Sequence, residues 1–214
     1  MGLGEAVKGP LYVQGTIRPP LVKGVFAMTI SQNECRALLE DHYNAVTRKR
    51  LAHTERVLAL CRAILGELPP AERERVDAGL LDAAATLHDI AKPDDKENHH
   101  KKALKIILRA RQEQALKAGS PAPEPGAGPF FLALGEVIRH HKGKFKPEPP
   151  CAREAAILRT ADKIDMLHQG WEESEIKYRD TLSKIHEYCQ KHSLEPFYRA
   201  LKAAAEKVKI PRDG

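Results

Sequence analysis

The sequence predicts an all-α domain, and three observations support that prediction. From Ser31 onward, apolar residues recur at intervals of three and four along successive segments, which is the spacing of one buried helix face. No segment alternates apolar and polar residues over the length of a strand, and no Asn-Gly type hairpin turn is present. Clusters of glycine and proline divide the segments. With 214 residues, the chain is long enough for one domain of ordinary size.

The N-terminal residues 1–27 differ from the rest of the chain. They contain five glycines and three prolines and show no helical period. We therefore expect a flexible arm over 1–27 and the folded domain over 28–214. The first helix is predicted just after this boundary, because Ser31 suits the N-cap position and Glu34, three residues later, would complete a capping box.

The later helices follow from their apolar faces and from the prolines and glycines that end them. The second helix carries Val57 and Cys61 on one face and stops before Pro69. A single helix is predicted next, over residues 71–91, with its end at Pro93. The remaining predicted helices cover residues 99–118, 130–141, 152–169, 172–191 and 195–208.

Composition argues against several classes of protein. No stretch of 18 residues lacks a charged side chain, so no membrane-spanning helix is predicted. The N-terminus lacks the basic, apolar and small-residue order of a signal peptide, and we therefore expect a cytoplasmic protein. The four cysteines lie 26 or more residues apart and form no CxxC pair. They are therefore predicted to be small core residues, not zinc ligands or a disulfide framework.

The net charge of +6, with the ten histidines counted as neutral, has three interpretations. A basic surplus serves nucleic acid binding, attracts an anionic small substrate, or simply reflects a solvated lysine-rich surface. Few aromatic residues lie among the basic ones, so the stacking that single-stranded nucleic acid requires is missing and that partner is disfavoured. The histidines are more informative than the net charge because of where they fall.

Three predicted helices carry a histidine or an aspartate where an apolar residue belongs. His53 lies on the apolar stripe of its helix, and Asp162 projects from a buried stripe. His88 and Asp89 end a run of alanine and leucine. Taken singly, these residues have structural explanations: a core histidine, a helix cap, or an ion pair of Asp162 with Arg56. Taken together, they offer the imidazole nitrogens and carboxylate oxygens that bind a divalent metal ion between neighbouring helices.

The ordered set of His53, His88–Asp89 and Asp162 resembles the HD-domain superfamily of metal-dependent phosphohydrolases. The resemblance covers about residues 51–165 and rests on the strings HTERV at 53–57, LHDIAK at 87–92 and ADKID at 161–165. It implies an all-α bundle with the four ligands at its centre. That implied fold agrees with the helical pattern described above.

Two branches of the superfamily can be compared with the chain. The strings HDIAK at 88–92 and HHKG at 140–143 are similar to those of the symmetrical diadenosine-tetraphosphate hydrolases. That branch has a Glu-Pro-Gly-Arg type element after its final aspartate, where this chain has KIDMLHQG at 163–170. The cyclic-dinucleotide phosphodiesterase branch carries a Gly-Tyr-Pro element, where this chain has KFKPEPP at 144–150. A nucleotide is the expected class of substrate, and the particular nucleotide stays open.

Superfamily members with two metal ions have further histidines between the His-Asp pair and the last aspartate. His99 and His140 are the candidates here, in preference to their neighbours His100 and His141, and Asp89 would then bridge the two ions. The alternative is that all four histidines are exposed at loop edges. The resemblance thus implies one or two divalent ions, with Fe, Mn, Co, Ni and Mg not distinguished. The full predicted ligand set is His53, His88, Asp89, His99, His140 and Asp162.

The reaction implied by the resemblance is hydrolysis of a phosphoester or phosphoanhydride bond by attack of metal-bound water on an anionic small molecule. Asp89 would hold the metal and orient the water, and Lys92 would pair with a phosphate oxygen. Arg56 would do the same or brace a ligand carboxylate. Lys142 and Lys144 border the expected mouth of the site and would attract the anion, unless they belong only to a solvated surface.

Two other functions fit the same donor residues. Some HD-type sites hold two irons and activate oxygen, and iron content with oxygen consumption would identify that class. A nucleotide-sensing module would keep the fold and lack catalysis, although the complete ligand set argues against it.

Overall fold

A computed structural model describes residues 30–43, 48–117, 119, 128–171 and 173–210, and within these ranges the chain forms helices and no β-strand. The all-α prediction is therefore confirmed. The predicted arm over 1–27 lies outside the described residues. The helices are α1 (Gln32–His42), α2 (Arg48–Glu67), α3 (Pro70–Arg73), α4 (Ala78–Leu87), α5 (His99–Lys117), α6 (Pro129–Arg139), α7 (Ala152–His168), α8 (Ser174–Lys191) and α9 (Glu195–Lys209), with one 3-10 turn at Pro149–Cys151.

The helix ends follow local sequence signals at most positions. At the start of α1, the Ser31 side chain accepts a hydrogen bond from the Glu34 amide, and the Glu34 carboxylate accepts one from the Ser31 amide. This is the predicted capping box. The observed bounds of α5, α6, α7, α8 and α9 agree with the predicted helices to within about two residues, and α2 ends before Pro69 as predicted.

The single helix predicted over residues 71–91 is wrong, because the structure divides it into α3 and α4. Asp77 is extended, and its carboxylate accepts a hydrogen bond from the Leu80 amide, which caps α4. The Asp77 amide donates to the Glu154 carboxylate of α7 at 2.7 Å. The chain also leaves α4 earlier than predicted, at Leu87, so His88 and Asp89 lie in a turn.

The central helix of the bundle is α7. It packs against α2, α4, α6, α8 and α9, and 12 of its 17 residues are buried. A helix surrounded in this way is normally apolar all round. The acidic side chains of Asp162 and Asp165 are therefore exceptional, because they lie in the middle of the core.

Two further predictions concern the rest of the core and the helix surfaces. All four cysteines are buried as free thiols, as predicted. Burial raises the pKa of the Cys151 thiol to about 12, so that thiol is held in its protonated form. Among the described residues, no helix combines the length and the apolar character needed to cross a membrane.

Candidate metal centre

Six buried or half-buried side chains form two donor groups at the centre of the bundle. The first donor group consists of His53, His88 and Asp162, and the second consists of Asp89, His99 and His141. Within each group, one nitrogen or oxygen atom from each residue lies within 4.8 Å of the others.

The donors come from five segments that meet at this point. His53 lies inside α2, and Asp162 lies inside α7. The others stand at helix ends: His88 caps α4, His99 begins α5, and His141 follows α6 by two residues. At a helix end, a side chain lies close to backbone carbonyl groups, and such carbonyls hold the rings of His88, His99 and His141 by hydrogen bonds.

The ring nitrogen Nδ1 has a hydrogen-bond acceptor in all four histidines of the two groups. In His88, His99 and His141, the acceptor is the backbone carbonyl three residues earlier, at 2.8, 2.9 and 2.6 Å. Because a carbonyl only accepts, Nδ1 must carry the proton in these three rings. In His53, Nδ1 lies 2.8 Å from the Asp165 carboxylate and donates to it. In its neutral form, each of these rings therefore presents its Nε2 lone pair to the centre.

These Nε2 atoms face one another in pairs. The Nε2 atoms of His53 and His88 are 3.3 Å apart, and those of His99 and His141 are 3.1 Å apart. Burial lowers the pKa of both His88 and His141, which favours their neutral forms. Two neutral rings in this orientation oppose lone pair to lone pair, unless a cation or a proton lies between them. The donor chemistry therefore fits a metal ion in each group, with the other side of each ring fixed by its hydrogen bond.

Asp89 lies between the two groups. Its Oδ1 is 3.1 Å from Nε2 of His99, and its Oδ2 is 3.6 Å from Nε2 of His53. Burial alone would raise the pKa of this carboxyl, but His88, His99 and Lys92 outweigh burial and hold the pKa well below its usual range. An ionised carboxylate with one oxygen toward each group has the geometry of a bridging ligand.

Asp162 and Asp165 support the first donor group from α7. Asp162 places Oδ1 3.4 Å from Nε2 of His53, and its Oδ2 accepts from the Lys163 ammonium at 2.6 Å. Asp165 accepts from His53 and also from Arg56, whose Nε is 2.5 Å from Oδ1. The suggested ion pair of Arg56 with Asp162 is wrong, since Arg56 contacts Asp165 and orients His53 through it.

Comparison with known families agrees with this arrangement. A family model described as HD domain matches residues 50–167, more than half of the chain. The chain belongs to the HD domain family. All six residues of the two donor groups lie inside the matched range. HD domains bind divalent metal ions and are mostly metal-dependent hydrolases, so the superfamily resemblance is confirmed at that level. Searches of curated proteins and of solved structures found no significant match.

The predicted ligand His140 lies outside both donor groups of this HD domain. Its Nε2 is 3.1 Å from the Glu136 carboxylate, and its Nδ1 donates to the Lys144 carbonyl at 3.0 Å. Its neighbour His141 is buried and turned inward, because the chain leaves α6 at Arg139 and the His141 amide bonds back to Ile138. The choice of His140 over His141 is therefore not supported by the geometry, whereas His99 does lie in the second donor group.

Three predicted substrate-binding lysines differ in their positions relative to the donors. Lys92 Nζ lies 2.5 Å from Oδ2 of Asp89, with the side chain 28 % exposed. Lys142 and Lys144 are exposed in the turn after His141, and no donor residue is within ion-pair distance of their ammonium groups. Lys92 therefore contacts a donor residue directly, whereas Lys142 and Lys144 are surface residues that contact none of the donors.

Two charged residues close to the centre had no role in the sequence analysis. Asp165 follows Asp162 by three positions, so helical spacing alone could have placed both on one face of α7. Lys163 could not be found in this way, because adjacent helical residues point about 100° apart. Only the folded structure shows its ammonium reaching back to the neighbouring carboxylate.

Proposed function

We propose that this HD domain is a two-metal phosphohydrolase that cleaves a phosphoester or phosphoanhydride bond in a nucleotide. The observation that supports two ions most directly is the pairing of the Nε2 atoms. Two pairs of imidazole Nε2 atoms face each other across 3.1 and 3.3 Å, and the Asp89 carboxylate lies between the pairs. Family membership supports metal-dependent hydrolysis in general.

The proposed ligands divide unequally between the ions. One ion would be held by His53, His88 and Asp162 together with Oδ2 of Asp89. The other would be held by Oδ1 of Asp89, His99 and His141. Sets of four and three protein donors leave coordination positions for water and for a phosphate oxygen. Four imidazoles also favour a transition-metal ion such as iron, manganese, cobalt or nickel over magnesium.

When bound, the metal ions would supply an acidified water nucleophile and neutralise charge on the phosphoryl oxygens. In this proposal, each oxygen of the Asp89 carboxylate faces one donor group, so the two donor groups share this carboxylate. The Lys92 ammonium, fixed against Asp89 and partly exposed, would donate to a phosphate oxygen. Arg56 is 41 % exposed beside the first donor group, and its remaining N–H groups would serve the same anion.

The proposed partner is an anionic small molecule, and nucleic acid stays disfavoured. Lys142 and Lys144, both exposed beside His141, would raise the local concentration of a phosphate compound. The four free cysteines agree with a reducing compartment, which supports the cytoplasm as the proposed location.

The test is metal analysis of the purified protein, followed by hydrolysis assays on phosphoesters and nucleotides with Mn, Fe, Co, Ni and Mg. Replacement of Asp89 by alanine should abolish bound metal and phosphate release, with helical circular dichroism retained. Asp180→Ala is the matched control, because Asp180 is an exposed residue of α8 that belongs to neither donor group and forms an ion pair with Lys184. Full metal content and activity in Asp89→Ala would overturn the proposal. So would iron loading with oxygen consumption and no phosphate release.

A further inference from the structure

A groove between α5 and α6 lies next to the metal centre and contains none of its donors. The turn at Pro149–Cys151 and the preceding Glu148 close one side of it. Its volume is about 360 Å³, which is within the range of small-molecule binding sites.

The two helices run antiparallel, and the groove therefore extends outward from the centre. His99 at the start of α5 lies beside His141 at the end of α6, and Leu104 packs on Gly135. A Cβ atom at Gly135 would lie 2.8 Å from Leu104 Cδ2, so glycine permits this close packing. At the inner end, the His100 ring is 5.7 Å from the ring of His99, centroid to centroid. One side chain thus separates the groove from the second donor group.

The chemistry of the groove changes along its length. Lys101 and Arg139 are exposed at the inner end and line the groove with two cations, of which the Lys101 ammonium donates to the Asn98 side chain at 3.1 Å. Leu132 and Ala133 form an apolar outer end, about two helical turns before Arg139 on α6. Leu132 is 56 % exposed, so its side chain is available to a ligand in the groove.

The wall between these ends carries carboxylates. Glu136 accepts a hydrogen bond from the Glu148 amide at 3.0 Å, which ties the Glu148 turn to α6. The Glu148 side chain is exposed at the groove, where its oxygens can accept hydrogen bonds from a ligand N–H. The groove therefore offers cations at the inner end, acceptors along the wall and an apolar surface at the outer end.

We propose that this groove holds the sugar and base of the nucleotide whose phosphate reacts at the metal centre, an inference that rests on the proposed function. Lys101 and Arg139 pair with the phosphate as it enters the centre. The flat face of the base packs on Leu132 and Ala133, and the exposed carboxylate of Glu148 accepts from a base amino group. The groove thereby favours nucleotides over phosphate compounds that lack a base.

Binding to the metal-loaded full chain tests this inference without a need for turnover. Isothermal titration calorimetry would compare a panel of nucleoside monophosphates and diphosphates with inorganic phosphate. Ala133→Trp fills the outer end, and Leu132→Asp places a charge on it at an exposed position where the fold is not at risk. Leu116→Asp is the matched control, because Leu116 is 64 % exposed on α5 and outside the groove.

Both groove variants should weaken nucleotide binding by about tenfold, because the apolar surface that covers the base is lost, and leave phosphate binding unchanged. The control should alter neither. Unchanged nucleotide affinity in both variants would overturn the inference, as would an equal loss of phosphate affinity or a wild-type protein that binds nucleotides no more tightly than phosphate. Failure of the proposed function is distinguishable, since it would appear as metal loading and base-dependent binding without hydrolysis.

Discussion

A metal ion and a proton should compete for the first donor group, because both use Nε2 of His53. Burial lowers the pKa of His53, but hydrogen bonds to Asp162 and Asp165 outweigh burial and raise the pKa to about 9. Nδ1 already donates to Asp165, so the titrating proton lies on Nε2. That atom also faces His88 and would bind the metal. Metal binding must therefore release this proton.

The size of the effect follows from the pKa of the metal-free protein. Below pH 9, each unit of pH should weaken metal binding about tenfold, or about 1.4 kcal/mol, because the competing proton becomes tenfold more abundant. Between pH 8 and pH 6 the apparent affinity should therefore fall about a hundredfold. The other two donors add little to this slope. Burial lowers the pKa of His88, and Lys163 and His53 outweigh burial to hold the pKa of Asp162 well below its usual range.

The measurement is calorimetric titration of the metal-free protein at pH 6, 7 and 8, in buffers that differ in their enthalpy of ionisation. About one proton should be released for each ion bound to the first donor group. Asp165→Asn replaces the charged acceptor of His53 Nδ1 by a neutral one and should lower the pKa of His53, so the pH dependence between 7 and 8 should shrink in that variant. A wild-type affinity that is constant from pH 6 to 8, with no proton release, would refute the reasoning.

Three further predictions concern the ligands, the core and the metal. His141→Ala should lose one of two bound ions, whereas His140→Ala should keep both, and equal metal content in the two variants would contradict the ligand assignment. Burial raises the pKa of Glu154 to about 7, so the stability conferred by its protonated form is complete below about pH 4.5 and is lost as the pH rises through 7. Glu154→Gln should therefore exceed the wild type in urea denaturation at pH 8 by up to about 3 kcal/mol and nearly equal it at pH 5. Chelation should lower the melting temperature of the wild type and leave that of Asp89→Ala unchanged, and a parallel shift in both would argue against bound metal.

The helical pattern could be predicted where the deciding interactions are local. The capping box at Ser31 involves residues three positions apart, and the apolar face of α2 repeats within one helix. The break before α4 has one local signal, the Asp77 cap on the Leu80 amide, which the apolar periodicity over residues 71–91 did not register. The break also involves Glu154, which accepts the Asp77 amide from 77 positions away in the sequence, and no local signal contains that contact.

The donor residues show the same division between local and long-range information. Helical position indicated that His53 and Asp162 were out of place among apolar residues, and both do lie in the first donor group. The choice between His140 and His141 could not be made from sequence, because both follow the end of α6 and only the turn after Arg139 decides which ring faces inward.

The carboxylates of the centre share a further arrangement that bears on substrate charge. Each has a side-chain cation fixed on it: Lys92 on Asp89, Lys163 on Asp162 and Arg56 on Asp165. These cations keep the three buried carboxyls ionised and orient them, which offsets part of the cost of burying charge.

The balance of charge also limits the possible ligands of the loaded site. Because side-chain cations already pair with these three carboxylates, two divalent ions would leave the centre with a surplus of positive charge. On the proposed function, we therefore expect an anionic substrate there, and a phosphate group would pair with the ions and with the exposed parts of Lys92 and Arg56. The same surplus makes a neutral substrate a poor fit, so the charge balance alone favours a phosphorylated compound over an uncharged one.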